Sequence, residues 1–231
     1  MESQFRHTCD QLTFQTAEQF QVWRASQKFR AFSLDKYEAE CACITLYVNA
    51  LIQSSHAMVH WPLLLHRSES PDFNLRFGED PTTGVEHSTI TSTKYQQFRA
   101  ESLKDLEDRV VSLDAFKIGG PPTSDINAGW VGNEPEREWS ALAFRKCKEK
   151  LEKLNRAQFT KNARNELLLN TVSYLPNLDI QLAIQMLGKL LTQEVADEKY
   201  QCTFDAISII YGKTTIPQAL VRQEHSTRSG A

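Results

Sequence analysis

The sequence predicts an α/β domain in which a mixed central sheet of four to five strands is flanked by helices. Segments with the three- and four-residue spacing of amphipathic helices alternate along the chain with short, apolar, strand-like segments. The first strand-like segments follow one another with only turn residues between them, which is typical of antiparallel hairpins and argues against an all-parallel sheet. The 231 residues, 41% of them hydrophobic, suffice for one large domain with its own core.

The first half of the chain contains two helical patterns and three strand patterns. Aromatic and apolar residues recur at mostly helical spacing over residues 14–31. Ser33 is the predicted N-cap of a long, half-buried helix over residues 37–54. Residues 1–35 are therefore predicted to form a helical extension ahead of the domain. Segments bounded by Pro and Gly then predict strands at residues 61–66, 73–77 and 84–90.

The second half returns to longer helical patterns. A charged segment at residues 95–113 is predicted to be helical, and a Gly- and Pro-rich stretch at 117–136 is predicted to be a long loop of the kind that is often functional. The α/β domain is predicted to span residues 36–222, followed by a disordered polar tail at 223–231. The remaining predicted elements are a helix over 134–154, a strand over 166–172, a helix from the cap Asp179 to about 193, and a strand over 204–211.

Composition and motifs exclude several classes of function. A net charge of −3 gives no global nucleic-acid signature, so any such binding has to come from a local patch. The glycines at 119–120 are not followed by Lys-Ser or Lys-Thr, which excludes a phosphate-cradling nucleotide loop. The longest apolar run is too short to span a bilayer, so no membrane partner is expected. Five cysteines, an odd number, without a signal peptide predict reduced thiols in the cytoplasm.

Two carboxylates are the best functional clue. Asp72 precedes one predicted strand and Glu86 lies in the next, fourteen positions later, so the two side chains can meet at the same end of a hairpin. A hard divalent cation such as Mg²⁺ is commonly bound through one or two carboxylates. Asp72 is equally compatible with a turn role after Pro71, whereas an ionised Glu86 in a core strand requires a partner or a metal.

The order of elements, with Pro71-Asp72 and Glu86 on successive strands, resembles the restriction-endonuclease-like PD-(D/E)XK nuclease superfamily over roughly residues 36–212. The resemblance implies that Asp72 and Glu86 bind Mg²⁺ or Mn²⁺, that the substrate is nucleic acid, DNA above all, and that the protein can act as a homodimer. The family often adds a Glu from the preceding helix, which would be Glu40 or Glu38. Glu69, just before the strand, is a further option.

The sequence departs from the family pattern at Ser88, which stands where the family places a catalytic Lys. A basic helix can supply the missing cation. Residues 145–164 hold eight basic and two acidic residues, a local net charge of +6. Lys146, Lys150 and Lys153 fall on one stripe of this helix, and Lys150 lies nearest its core boundary. Lys150, or alternatively Lys146, is therefore the candidate catalytic Lys.

Further candidates carry alternatives of their own. The stripe of three lysines either contacts nucleic-acid phosphates or is a solvated basic face. Trp130, in the Gly-rich loop, either stacks on a base or anchors the loop on the core, and the same holds for Trp139. His87 is expected to point away from Glu86 because strand side chains alternate.

The sequence therefore predicts a metal-dependent nuclease. The alternatives are a catalytically inactive nuclease-fold module that binds nucleic acid or protein, and a fold in which the two acids are purely structural. Ser88 favours the inactive module, whereas the two acids and the basic helix favour the enzyme.

Overall fold

The structure, a computed structural model, describes residues 10–27, 35–54, 59–91, 132–171, 178–196 and 200–211, and the backbone of 214–218. Among them lie the helices α1 (Ala17–Ser26), α2 (Lys36–Gln53), α3 (Glu134–Leu154) and α4 (Ile180–Ala196). The strands are β1 (Gln11–Phe14), β2 (Leu63–Arg67), β3 (Phe73–Phe77), β4 (Thr83–Ile90), β5 (Arg164–Thr171), β6 (Ala206–Tyr211) and β7 (Thr214–Gln218). The bounds of α3 and β3 are those predicted from the sequence.

The seven strands of the described residues form one mixed sheet in chain order from β1 to β7. The pairs from β1 to β4 are antiparallel, β4, β5 and β6 run parallel to one another, and β7 is antiparallel to β6. Parallel neighbours need a long crossover connection, and α3 and α4 lie in the two crossovers. The predicted mixed α/β architecture is confirmed.

Helices cover both faces of the sheet. In β5, Leu168 packs into a core with α2 and the aromatic side chains of the α1 region, whereas Leu167 and Leu169 pack into a second core with α3 and α4. This alternation follows from the two-residue period of a strand, and it explains why β5 is an almost continuous apolar run. The α2 face and the α3 face are therefore separate chemical environments.

The prediction of four to five strands is too low. Strand β1 has four residues, and the helical pattern that starts at Phe14 conceals it. Strand β7 contains Pro217, which is unfavourable within a ladder, and as the last strand of the described sheet it pairs only with β6. The predicted N-terminal extension thus supplies a strand, and its Phe14 and Phe20 are buried in the core beside α2.

Helix starts agree with local capping chemistry. Asp35 caps α2, where its carboxylate accepts hydrogen bonds from the backbone N–H groups of Tyr37 and Glu38. Asp179 caps α4 as predicted, by accepting from the N–H groups of Gln181 and Leu182. The predicted cap Ser33, the helix at 95–113 and the tail at 223–231 lie outside the described residues.

The cysteines of the described ranges are free thiols: Cys41, Cys43 and Cys147 are buried, and Cys202 is half-buried. Cys41 and Cys43 both lie on α2. None of the helices in the same ranges combines the length and apolar content that crossing a bilayer requires.

Candidate functional site

Asp72 and Glu86 lie side by side at the start of β3. Because Phe73 pairs with Val85, Asp72 falls beside Glu86 on the neighbouring strand. The Oδ2 atom of Asp72 accepts a hydrogen bond from the backbone N–H of His87 at 2.7 Å, which fixes the carboxylate against β4. Glu86 is 0% exposed. The sequence placed the two acids together, and the structure brings them together.

Two lysines of α3 reach these acids across the α3 face. Lys150 Nζ lies 2.5 Å from Glu86 Oε2 and 3.5 Å from Asp72 Oδ2. Lys153 Nζ lies 2.7 Å from Glu86 Oε1. The two residues are one helical turn apart, so one carboxylate accepts from both ammonium groups. The site therefore holds two negative and two positive charges.

Lys150 stays charged in this setting. Burial by itself lowers the pKa of Lys150, but the Asp72 and Glu86 carboxylates more than offset it, so the pKa lies above its ordinary value. An ammonium held between two carboxylates can donate to a phosphate oxygen or to a water molecule. It is not available as a general base at neutral pH.

Pro71 and Asn162 both approach the backbone of β4 closely at Gly84. A Cβ atom at Gly84 would lie 2.5 Å from Asn162 Nδ2 and 2.8 Å from Pro71 Cγ, so only glycine allows this approach. Asn162 Nδ2 donates to Asn74 Oδ1 at 2.8 Å, and Asn74 Nδ2 donates to Ser68 Oγ at 3.0 Å. This chain of amides ties both ends of the Asp72 segment to the β5 side of the sheet.

His87 is buried beside the site but does not take part in the ion pairs. Burial lowers the pKa of His87 to about 4; the ammonium groups of Lys150 and Lys36 act in the same direction, against the Asp72 carboxylate. Its Nε2 atom has no hydrogen-bond partner within the part of the chain that the structure describes. His87 is therefore a neutral residue at pH 7, and it lies on the opposite face of β4 from Glu86, as predicted.

The third acid that the sequence suggested does not join the pair. Glu40 is buried on α2, where its carboxylate accepts from Arg67 Nη2 at 3.0 Å and lies 3.4 Å from Lys36 Nζ. Glu69 is exposed. Over the described ranges, no three His, Cys, Asp or Glu side chains are placed to hold one metal ion together. Glu40 is thus engaged in an ion-pair group of its own.

Much of the basic charge of α3 is neutralised within the fold. Lys146 Nζ lies 2.7 Å from Glu149 on the same helix, and Lys148 Nζ lies 3.2 Å from Glu194 on α4. With Lys150 and Lys153 on the acid pair, the helix presents much less free charge than its composition suggests. A phosphate would have to compete with these partners for Lys146 or Lys153.

The two candidate tryptophans have different outcomes. Trp139, a residue of α3, is 1% exposed in the core between this helix and the sheet, and its indole N–H donates to Thr171 Oγ1 at 3.2 Å. Of its two alternatives, base stacking and anchoring on the core, the structure therefore favours anchoring. Trp130, the predicted base-stacking residue, lies outside the described residues.

Sequence reasoning missed a second polar group, on the α2 face. The Tyr47 hydroxyl donates to Glu166 Oε2, and Arg164 Nε lies 2.5 Å from Glu166 Oε1. The two residues at positions 164 and 166 share a strand face, so an Arg-x-Glu spacing in a β pattern was the available signal. The sequence predicted Lys153 only as a phosphate contact. Its contact with Glu86 was missed because it depends on how α3 crosses β4.

No protein-family model, curated protein or solved structure matches this chain. Two adjacent carboxylates and a charged Lys can bind a hard cation, hold a phosphate or position a water molecule. They can equally neutralise one another and serve stability alone.

Proposed function

We propose that the chain is a nuclease-like protein that hydrolyses phosphodiester bonds in nucleic acid, DNA above all, with the help of a divalent metal ion. The observation that carries the proposal is the contact of Lys150 Nζ with both Asp72 and Glu86. It supplies, from α3, the cation that the strand lacks at Ser88. The order of α2, three antiparallel strands, α3 and a parallel strand supports the restriction-endonuclease-like assignment made from the sequence.

The donor set suits a hard cation. Asp72 and Glu86 would hold Mg²⁺ or Mn²⁺, which would lower the pKa of a bound water molecule and neutralise charge that develops on the phosphate. Both oxygens of Glu86 now accept from lysines, so an ion would have to take the place of at least one ammonium group. Metal binding should therefore displace Lys150 or Lys153 from Glu86.

Lys150 is the proposed catalytic cation. If it were released from Glu86, its ammonium group could donate to a non-bridging phosphate oxygen or orient the attacking water. Removing one such preorganised donor typically lowers the rate about a hundredfold or more. The stripe of Lys146 and Lys153 and the loop residue Trp130 stay proposed nucleic-acid contacts, and a homodimer stays a proposed state.

Metal binding and cleavage test the proposal together. Titration calorimetry with Mn²⁺ and Mg²⁺ is compared with nicking of supercoiled plasmid and cleavage of single-stranded DNA. Asp72→Asn and Glu86→Gln should abolish both metal binding and cleavage, because they remove the charge and keep the shape. Lys150→Met should lower cleavage about a hundredfold and leave metal binding intact or tighter. The exposed Lys189→Met serves as the control and should change neither.

A catalytically inactive module is the second candidate, and the charge balance of the site favours it. Glu86 is fully buried with a lysine on each oxygen, so the site needs no metal for neutrality. In that case the parent protein binds neither Mn²⁺ nor Mg²⁺ at millimolar concentration and cleaves no substrate. That result would overturn the enzymatic proposal and leave the fold as a binding module.

A further inference from the structure

A cavity of about 400 Å³ opens on the α2 face, where β3 ends and β4 and β5 begin. Its walls are mainly apolar and come from the end of α2, from the segment before β2, from β3 and from the turn after β3: Leu51, Val59, Leu75, Phe77 and Pro81. Small-molecule sites are usually concave, have this size, and combine apolar walls with a few converging polar groups. Three of the lining residues carry charged side chains: Asp80, Arg164 and Glu166.

Glu166 lies among the lining residues as a buried carboxylate, with a side chain that is 5% exposed. Tyr47 donates to one of its oxygens and Arg164 to the other. Burial and the nearby Glu166 carboxylate raise the pKa of Tyr47 well above its usual value, so the hydroxyl keeps its proton. A buried carboxylate that is satisfied by the protein on both oxygens serves to hold its partners in place. The partner held here is the guanidinium of Arg164.

The two charged groups in the more exposed part of the lining have opposite signs. Arg164 is 56% exposed and uses Nε on Glu166, while its two Nη groups have no partner within the described ranges. Asp80 is 48% exposed, and its contact is a long one, 3.4 Å to His60 Nδ1. A fixed guanidinium fork suits a carboxylate, and Asp80 suits an ammonium group.

We propose that this cavity binds a small zwitterion with an apolar body, of the class of an α-amino acid with an aromatic or branched side chain. Its carboxylate would take the free Nη groups of Arg164, its ammonium group would face Asp80, and its side chain would pack against Leu75 and Phe77. An anion alone would leave Asp80 facing it, and a cation alone would face Arg164. Only a molecule with both charges complements both groups.

The proposal does not rest on the nuclease function, because the two sites lie on opposite faces of the sheet. Glu166 pairs with Val85, which packs into the core beneath α2. The next residue, Glu86, therefore points to the α3 face, where it contacts Lys150. A ligand in the cavity and a metal ion on Asp72 can bind independently.

Three probes test the charge requirement directly on the full chain. L-Phenylalanine carries both charges, 3-phenylpropanoate lacks the ammonium group, and 2-phenylethylamine lacks the carboxylate. Binding is followed by calorimetry and by amide shift changes at Thr83 and Ala163. L-Phenylalanine should bind at least about tenfold more tightly than either of the others, because each lost charge-assisted hydrogen bond is worth about that factor. Equal binding of all three, or binding of none, would overturn the proposal.

Variants then locate the bound probe. Ala163 is exposed and lines the cavity, so Ala163→Phe should block L-phenylalanine without unfolding the protein. Ala157→Phe makes the same change at another exposed alanine and should leave binding unchanged. Arg164→Lys and Asp80→Asn should each weaken binding about tenfold. Unchanged affinity in Ala163→Phe would show that the probe binds elsewhere and would overturn the assignment of the cavity.

Discussion

Lys150 Nζ and Glu86 Oε2 lie 2.5 Å apart, although 64 positions separate the two residues in the chain. The contact exists because α3 crosses back over β4 before the chain enters β5. Lys153 binds the second oxygen of the same carboxylate from the next helical turn. Within the described ranges the fully buried charge of Glu86 is thus balanced by the two lysines of α3, and this coupling has measurable consequences.

Lys150 and Glu86 should be strongly coupled in stability. Lys150→Met leaves Glu86 with Lys153 as its remaining ion-pair partner and should lower the free energy of unfolding by about 1–3 kcal/mol. In the double variant Glu86→Leu/Lys150→Met the buried charge is gone, so the loss should be smaller than the sum of the two single losses. Urea unfolding of the four proteins measures the coupling.

The pair of Lys146 and the exposed Glu149 is the matched comparison on the same helix. The same cycle with Lys146→Met and Glu149→Leu should give a coupling below about 1 kcal/mol, because water screens the Glu149 carboxylate. If the coupling energy of Lys150 and Glu86 is no larger than that of Lys146 and Glu149, the buried ion pair does not act as a unit.

His87 should make stability depend on pH in the mildly acid range. Its pKa is about 4 in the folded protein against an ordinary 6.5, so between these values only the unfolded chain takes up the proton. The free energy of unfolding should therefore fall as the pH drops from 6.5 towards 4, by about 3 kcal/mol in all. Well above pH 6.5 the titration of His87 adds no pH dependence to stability.

His87→Leu isolates that contribution from the carboxylates, which also titrate in acid. The variant keeps the volume and removes the buried Nε2 that has no partner in the described structure. The difference in unfolding free energy between the variant and the parent should grow from pH 7 to pH 4.5. His66→Gln, at an exposed position, should leave the curve of the parent unchanged. If the plots of unfolding free energy against pH for His87→Leu and for the parent run parallel, His87 is not buried in its neutral form.

How much the sequence could predict depends on whether the signal is local. The bounds of α3 were predictable because Cys147, Leu151 and Leu154 recur at helical spacing on one face, and β3 because apolar residues alternate between Pro and Gly. Strand β1 was not predictable, since four residues carry little pattern and Phe14 also fits the helix that follows. Ser33 was the predicted N-cap of α2, but Asp35, which directly precedes the helix, takes that role.

The same holds for the acids and lysines of the site. Contacts that follow from local spacing were predictable, and contacts that depend on how distant elements pack were not. Strand pairing follows from the hairpin, so the meeting of Asp72 and Glu86 could be inferred from spacing. The helical wheel placed Lys150 and Lys153 on one stripe but could not say that both end on Glu86. That depends on the crossing of α3 over β4. The Tyr47–Glu166 contact joins residues 119 positions apart and had no local signal at all.

The thiols should differ widely in reactivity. Burial raises the pKa of Cys43 and of Cys147 to about 12, which leaves almost no thiolate at pH 8, and Cys41 is fully buried as well. Cys202 is half-buried and should react first. Iodoacetamide labelling of a Cys9→Ser protein, followed by peptide mass spectrometry, should modify Cys202 well before the other three.

Loss of the fast phase in Cys202→Ser would identify the residue, and full labelling in urea would show that the other three thiols are intact. Labelling of Cys43 or Cys147 at the rate of Cys202 in native buffer would contradict the burial of these thiols in the two cores that α2 and α3 form with the sheet.

Gly84 links the packing of the sheet to the acid pair. Gly84→Ala puts a Cβ atom 2.5 Å from Asn162 Nδ2 and 2.8 Å from Pro71 Cγ, so the Pro71-Asp72 segment or the Asn162 side chain has to move. Overpacking of this kind should lower the free energy of unfolding by about 1–3 kcal/mol. Asn162→Ala removes the closer of the two contacts. Gly84→Ala should therefore lower the free energy of unfolding less in the Asn162→Ala background than in the parent. Displacement of Asp72 should also weaken Mn²⁺ binding in Gly84→Ala, which calorimetry measures under native conditions. If Gly84→Ala lowers the free energy of unfolding equally in the parent and in the Asn162→Ala background, the Asp72 segment moves to relieve the clash and the amide of Asn162 does not.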